Sequence, residues 1–318
     1  MSIRQIGIVN QVLTNVARGY RNPGFIAESL FPTVLVDKEG VTVPKFGKDS
    51  FKVYNTERAP RADSNVMTPS KDGSVDIVLK EHDLVYPVDY REQLAAMYNR
   101  NVRAAKTVKD SLLLTHEKSC ADLATDVSQY SSTHKLALSS GSQLENVSSP
   151  SRLFKEGVEA IRSDIGVKPN TIIFGGKPWA TFTEHPEVLA RLSATGLKVL
   201  TEQLAAELLE IPKVKIGRAV YVNDSGQSVD VWGNVVILAY VPDSASEDDR
   251  SEEEPSFAYT FRLRDKAMVV DEYPSVGGKV NNVRCTDIRK AAILGADAAF
   301  LFTNVTGDGF TWAIGGGD

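Results

Sequence analysis

Apolar residues recur every three or four positions through Leu94, Tyr98, Val102, Ala105, Val108 and Leu112, the mark of one helical face. No Gly or Pro interrupts the chain from Asp89 to Tyr130, and Asp89 followed by Glu92 resembles a capping box. The pattern predicts a helix of roughly 38 residues, about 55 Å long at 1.5 Å per residue. Helices in compact domains typically run three or four turns. One this long is a coiled coil or a spine, and the heptad is not sustained, which favours the spine.

Before it, residues 5–18 carry a weaker helical pattern (Ile6, Val9, Leu13, Val16), stopped at Gly19 and followed by the turn Asn22-Pro23-Gly24. Residues 25–36 read as extended and apolar. Residues 41–88 read as two extended limbs around a polar tip: Val41 to Tyr54 on one side, Val75 to Val88 on the other, Asn55 to Gly73 between them. An isolated hairpin is marginal in water, so this one is expected to lean on something else, another subunit included. Its tip and flanks are basic, with Lys45, Lys48, Lys52, Arg58, Arg61 and Lys71 against Asp49, Glu57 and Asp63.

Beyond the long helix, residues 128–149 are rich in Ser, Gly and Asn and read as loop or short strand. Ser149-Pro150 opens a helix that ends near Gly166. A short buried strand follows at Thr171–Phe174, broken by Gly175-Gly176, whose freedom suits a sharp strand-to-helix turn. Short helices are expected at 177–184, 186–192 and about 199–209. From Val214 the pattern is strand-rich: 214–216, 219–222, 229–232, 235–241, 257–263 and 268–272. Between the last two stretches but one lies an insertion with seven acidic residues, Asp243, Glu247, Asp248, Asp249, Glu252, Glu253 and Glu254, against the single cation Arg250. It reads as a solvated hairpin loop. Residues 282–306 are apolar again, with Ala291 to Phe302 the richest stretch.

Composition narrows the class. At roughly 100–200 residues per domain, 318 residues make two or three structural units. Apolar residues form 42% and charged residues 24%, a globular balance. The net charge is −5, from 36 basic and 41 acidic residues, without the basic surplus of a dedicated nucleic-acid binder. Cys120 and Cys285 lack CxxC spacing, which fits a reducing compartment. No apolar signal core and no run of 18 apolar residues occur, so neither a leader nor a membrane span is expected.

The chemistry of turnover is not signalled. Gly176-Lys177 fails as a phosphate loop, because Thr171 stands where its first Gly belongs and Pro178 where Ser or Thr belongs. There is no GxGxxG and no GxSxG. His82, His116, His134 and His185 form no HExxH and no paired metal spacing; His116-Glu117 reads as an exposed helix face and His185-Pro186 as a structural helix break. The acidic insertion lacks an EF-hand pattern. No catalytic residue, cofactor or metal site is expected.

An arm, a projecting hairpin and an over-long helix are built for contact with neighbours. Their order, followed by a strand-rich region, resembles the tailed-bacteriophage major capsid proteins of the HK97 fold, an α+β architecture. The likeness is carried by Gly19-Tyr20, Phe25-Ile26-Ala27 and Leu30-Phe31-Pro32; by Pro169 to Gly175; by Trp179 to Leu192; by Trp232 with Leu238 to Pro242; by Pro255 to Phe261; and by Arg284 to Leu294. It implies an N-terminal arm at 1–40, an E-loop hairpin at 41–88, a peripheral domain with the spine helix at 89–165, an axial domain at 166–280, and a return to the peripheral domain at 281–318. The implied function is self-assembly through pentamers and hexamers into an icosahedral phage head around double-stranded DNA, in the virion, after assembly in the host bacterial cytoplasm. The implied partners are copies of the chain, a scaffolding protein, a portal, decoration proteins, and DNA held non-specifically; no membrane is involved.

Lys45, Lys48, Arg58 and Arg61 are then expected at intersubunit E-loop contacts with acidic surfaces, the plainer reading being a solvated basic loop. The acidic residues 243–254 are expected in an axial-domain loop near the capsomer opening. The likeness starts almost at Met1, which fits a separate scaffold or a processed mature form. Some relatives crosslink Lys to Asn; nothing selects a pair among the hairpin lysines and Asn281, Asn282 and Asn304, and no crosslink is expected. The alternatives are an encapsulin-like nanocompartment shell, another phage structural protein of tail or decoration type, and an enzyme without a recognisable motif.

Overall fold

The computed structural model describes residues 8–9, 24–44, 56–58, 64–65, 74–194, 199–242, 256–275 and 277–307. Most of the helix expected at 5–18 lies outside them. The two residues inside, Ile8–Val9 (β1), are a strand paired with Asp271 and Glu272, not a helix. A single helical turn, Ala27–Leu30 (α1), and the strand Thr33–Val36 (β2) follow, so residues 25–36 are extended only in part. Ile26, Ala27, Leu30 and Phe31 are buried, so this stretch packs into a core of its own chain.

The hairpin is rooted in a two-stranded ribbon, Gly40–Pro44 (β3) against Ser74–Val78 (β4), antiparallel. Val43, Ile77 and Leu79 anchor it on Val34, Tyr259, Phe261 and Ile288. Its second limb ends earlier than expected. Lys80–Asp89 (β5) leaves the ribbon and joins a sheet.

The long helix is broken in two: Tyr90–Ala95 (α2) and Arg100–Thr125 (α3), the latter of 26 residues and about 39 Å. Asp89 caps α2 by accepting from Arg91 N, and Asn99 caps α3 by accepting from Asn101 N and Val102 N. Asn99 is what restarts the helix, since its side chain satisfies donors that a continuous helix would bond internally. Leu94, near the end of α2, and Tyr98, within the break, belong to the apolar stripe yet are exposed.

The remaining elements are Lys135–Ala137 (β6), Pro150–Ile165 (α4), Thr171–Gly175 (β7), Gly176–Glu184 (α5), Pro186–Ala194 (α6), Glu202–Leu209 (α7), Lys213–Gly217 (β8), Val220–Val222 (β9), Ser228–Asp230 (β10), Val235–Ala239 (β11), Ala258–Leu263 (β12), Val269–Pro274 (β13), Val280–Ile293 (β14) and Ala299–Thr303 (β15). Local signals place α4 well: Ser149 caps it, Pro150 opens it, and Gly166 closes it at φ 71°. Gly175 serves another purpose than the expected freedom at a turn. Its φ is −64°, open to any residue, but a Cβ there would strike the Gly233 carbonyl.

Two sheets organise the chain. The six-stranded sheet runs β1-β13-β14-β12-β2, with β5 also on β14, in register from Val280↔Asp89 to Arg289↔Lys80. The five-stranded sheet runs β6-β15-β11-β7-β8. Sheet membership crosses the sequence divisions at 165/166 and 280/281: β12 and β13 precede residue 280 yet belong to the six-stranded sheet, while β6 and β15 lie outside 166–280 yet belong to the five-stranded one.

The three central strands of the five-stranded sheet, β15, β11 and β7, are covered on both faces and read as continuous apolar runs, while the edge strands β6 and β8 carry lysines and are partly exposed. Ile172, Phe174, Val236, Leu238, Phe300 and Phe302 point to one core with Phe154 and Phe182 from α4 and α5. Ile173, Ile237, Ala239 and Leu301 point to the other, which holds Phe31, Trp232, Phe257 and the end of α3 at Cys120, Ala121 and Ala124. The start of α3, at Ala104, Ala105, Val108 and Leu112, covers Val270, Val283 and Cys285 of the six-stranded sheet. One helix therefore serves two cores, which is a spine and not a coiled coil.

Candidate assembly site

The middle of α3 carries a polar junction between two cores. Glu117 is 2% exposed. Its Oε1 accepts from Ile26 N at 2.9 Å and from Trp232 Nε1 at 2.7 Å, and its Oε2 accepts from Ala27 N at 2.9 Å. Ile26 and Ala27 begin α1, which has no side-chain cap of its own. A helix start leaves backbone N–H groups without partners, and here a carboxylate 91 positions away supplies them. Burial pushes the Glu117 carboxyl up, while the three donors pull it back. The junction fixes the start of α1 against α3 and Trp232.

His116 is buried too, which corrects the expectation of an exposed His116-Glu117 face: α3 lies between two cores, so adjacent residues are both covered. His116 Nε2 stands 3.3 Å from Thr260 Oγ1, and Nδ1 stands 3.6 Å from Cys120 Sγ. Burial, aided by Arg289, Arg262 and His82, holds its pKa well below 6.5. Nearby, Asp287 pairs with Arg289 and lies 3.5 Å from Arg262 Nε, while Arg289 Nη2 donates to Leu112 O at 2.8 Å. Cys120 and Cys285 are buried free thiols, and burial pushes both up to about 12, far from a reactive thiolate. This chemistry holds elements together. His185 is also structural, with Nδ1 accepting from Glu187 N at the start of α6.

Of the basic residues expected at intersubunit contacts, Arg58 is exposed. Lys45, Lys48 and Arg61 lie outside the described residues, as do Asp243, Glu247, Asp248, Asp249, Glu252, Glu253 and Glu254. The strands bounding the acidic segment correct its reading as a hairpin loop: β11 belongs to the five-stranded sheet and β12 to the six-stranded one. The crossing is pinned at its base. Phe257 N donates to Tyr240 O at 3.1 Å, and the Asn170 side chain brackets Val241, accepting from its N–H and donating to its carbonyl.

A set of exposed apolar side chains lies outside the sequence-based expectations. It runs from Leu84, Val85 and Tyr86 on β5 through Tyr90 and Leu94 on α2 to Met97 and Tyr98 in the helix break. Large apolar side chains exposed this close together along the chain make the segment a candidate interaction surface. The consecutive apolar trio on β5 was the available signal, but it reads equally as a buried strand. No helix among the described residues is long and apolar enough to cross a membrane.

Comparison with known proteins places this geometry. No family model matches the chain. The major capsid protein of Burkholderia phage BcepMu is 40% identical over 306 residues, covering 96% of this chain and 99% of that protein. The crystal structure of a phage-related protein from Bordetella bronchiseptica RB50 is similar at a TM-score of 0.78 and 28% identity, over 95% of this chain and 98% of that one. The capsid structure of cyanophage P-SCSP1u shares the fold at a TM-score of 0.59 and 8% identity, over 95% and 92% of the two chains.

Proposed function

The chain belongs to the phage major capsid proteins and has their HK97-like α+β fold, and on that premise we propose that it builds, through pentamers and hexamers, an icosahedral head around double-stranded DNA. The observation that carries this reading is the 40% identity to a major capsid protein along nearly the whole of both chains. An encapsulin-like shell is less supported, since that relative is a phage protein.

The mechanism is assembly. Heterologous contacts between identical chains close into rings, and rings close into a shell. Many modest contacts per subunit act together. In this reading the exposed strip from Leu84 to Tyr98 is covered by neighbouring subunits, and the basic E-loop residues Lys45, Lys48, Arg58 and Arg61 set register against acidic surfaces. Residues 1–40 act as arm, 41–88 as E-loop, 89–165 and 281–318 as the peripheral domain, and 166–280 as the axial domain, with the acidic segment 243–254 near the capsomer opening. The protein resides in the phage head. Assembly takes place in the host bacterial cytoplasm, with a scaffolding protein and a portal, and decoration proteins bind afterwards. The net charge of −5 favours loose containment of DNA, since tight phosphate contact needs clustered Lys and Arg.

Electron microscopy of the purified protein, expressed alone and then with its neighbouring genes, tests the reading. Closed shells, or rings that become shells when a scaffold is supplied, are expected. A uniform monomer or dimer under both conditions overturns it.

A further inference from the structure

We propose that His134, Asp164 and Asp297 form a binding site for one divalent transition-metal ion of the zinc type. The three residues come from separate segments: His134 just before β6, Asp164 in the last turn of α4, and Asp297 in the 3₁₀ turn Ala296–Ala298 that leads into β15. Their ligand atoms, one imidazole nitrogen and two carboxylate oxygens, all lie within 4.8 Å of one another.

His134 carries the inference. It is 1% exposed, yet its buried Nε2 makes no hydrogen bond. Buried polar atoms without partners are rare and call for a reason. The other ring nitrogen is well supplied: Nδ1 lies 3.0 Å from Ser131 Oγ and 3.1 Å from Thr133 Oγ1. Both hydroxyls can accept from Nδ1–H, and in that tautomer Nε2 keeps a lone pair for a metal, the arrangement found where imidazole is a ligand. The backbone fixes the ring's origin, with His134 N donating to Ser131 O and Leu301 N to His134 O.

Nε2 faces Asp164 Oδ2 at 3.5 Å. The separation is long for a hydrogen bond. It suits two ligands of one ion, because tetrahedral bonds of about 2.0–2.1 Å set ligand atoms ~3.4 Å apart. Asp164 and Asp297 are partly exposed, which opens a path for the ion, and three protein ligands leave a position for water. The mixed nitrogen and oxygen donors favour zinc and its neighbours over magnesium and calcium, which prefer oxygen throughout. The bound ion would tie α4 to the strands at one edge of the five-stranded sheet and stabilise the fold by mass action.

The competing account is a plain His–Asp pair with no affinity for metal. Chelator-treated protein is titrated with zinc chloride, with magnesium chloride as control, and followed by calorimetry, by metal analysis after dialysis, and by thermal unfolding. One zinc per chain and a raised unfolding temperature are expected, with no response to magnesium. D297N and D164N remain folded by circular dichroism and bind zinc at least about tenfold more weakly, as loss of a ligand exceeds the loss of a ligand's support. Cobalt substitution adds a second signal: a visible d–d band in the wild type that H134Q abolishes. Zinc affinity equal in the wild type and D297N, or no zinc retained by the wild type, overturns the proposal.

Discussion

Glu117 and Trp232 are joined by a buried hydrogen bond, indole Nε1 to carboxylate Oε1 at 2.7 Å, across 115 positions of chain. The same carboxylate takes both backbone N–H groups that open α1. Removing it strands three buried donors at once. E117A is therefore expected to lower unfolding stability by about 3 kcal/mol or more, since each unmet buried donor costs about 1–3 kcal/mol. W232F removes one donor and costs less. E117Q falls between, because its amide nitrogen turns a donor toward another donor. Urea unfolding of the three variants checks the order, and equal stability of E117A and the wild type would refute it.

Asp287 is wholly buried between Arg289 and Arg262. D287A leaves two guanidinium groups in the interior without their counter-ion. Breaking a buried pair from one side costs about 3–5 kcal/mol. Arg289 also holds Leu112 O on α3, so the damage extends to the contact between the spine and the six-stranded sheet. A fall in the midpoint of urea unfolding measures it, with D287N expected to be milder because it keeps an acceptor.

The pH dependence follows from two histidines and one carboxylate of opposite sign. His116 has its folded pKa depressed well below 6.5 by burial, then by Arg289, Arg262 and His82. The unfolded chain binds the extra proton first, so this contribution is present above about pH 6.5 and is lost as the pH falls toward the depressed value. The slope approaches about 1.4 kcal/mol per pH unit. His82 is lowered as well, by burial first and then Arg289, and acts in the same direction. Glu117 is raised above 4.5, so its contribution is fully present below that value and is lost as pH rises through its folded pKa. Stability measured between about pH 5 and 7 is expected to fall toward acid. H116Q flattens the fall. An unchanged slope in H116Q would remove His116 as the cause.

These predictions rest on contacts of very different legibility. α4, β7 and β11 were readable because their signals are local: a Ser-Pro start, a Gly stop, short apolar runs. The break before α3 was not, since no Gly or Pro marks it and Leu94 and Tyr98 keep the helical phase while exposed. Glu117 looked like a surface residue because its partners lie 91 and 115 positions away. The acidic segment looked like a hairpin because both flanking runs are apolar, and only sheet membership separates them. His134, Asp164 and Asp297 match no spacing motif, since three unrelated turns bring them together. Charge alone singles out Lys45, Lys48, Arg58 and Arg61, and all but Arg58 lie outside the described residues.

Charge on the E-loop is expected to tune assembly more than to power it. Exposed ion pairs contribute about 0–1 kcal/mol each, and complementary charge acts mainly on encounter and register. R58E/R61E is expected to slow shell formation and to make it respond differently to salt, with the single chain folded as before. Light scattering at low and high salt follows the rate. Assembly identical to the wild type at both would return this loop to a solvated basic surface.

The apolar strip should behave in the opposite way. Leu94 is 80% exposed and Met97 is wholly exposed, so neither holds the single chain together. Replacing them with Glu removes little buried area from the monomer, and L94E/M97E is expected to unfold within a few degrees of the wild type. If neighbouring subunits cover the strip, the same change places two carboxylates in each of many identical contacts. Burying an unpaired charge costs several kcal/mol per site, and the shell repeats that cost at every subunit. Sedimentation of L94E/M97E should then show folded small species and no shells, independent of salt. Normal shells from this variant would mean that the strip stays open to solvent in the assembled head, and that other surfaces hold the subunits together.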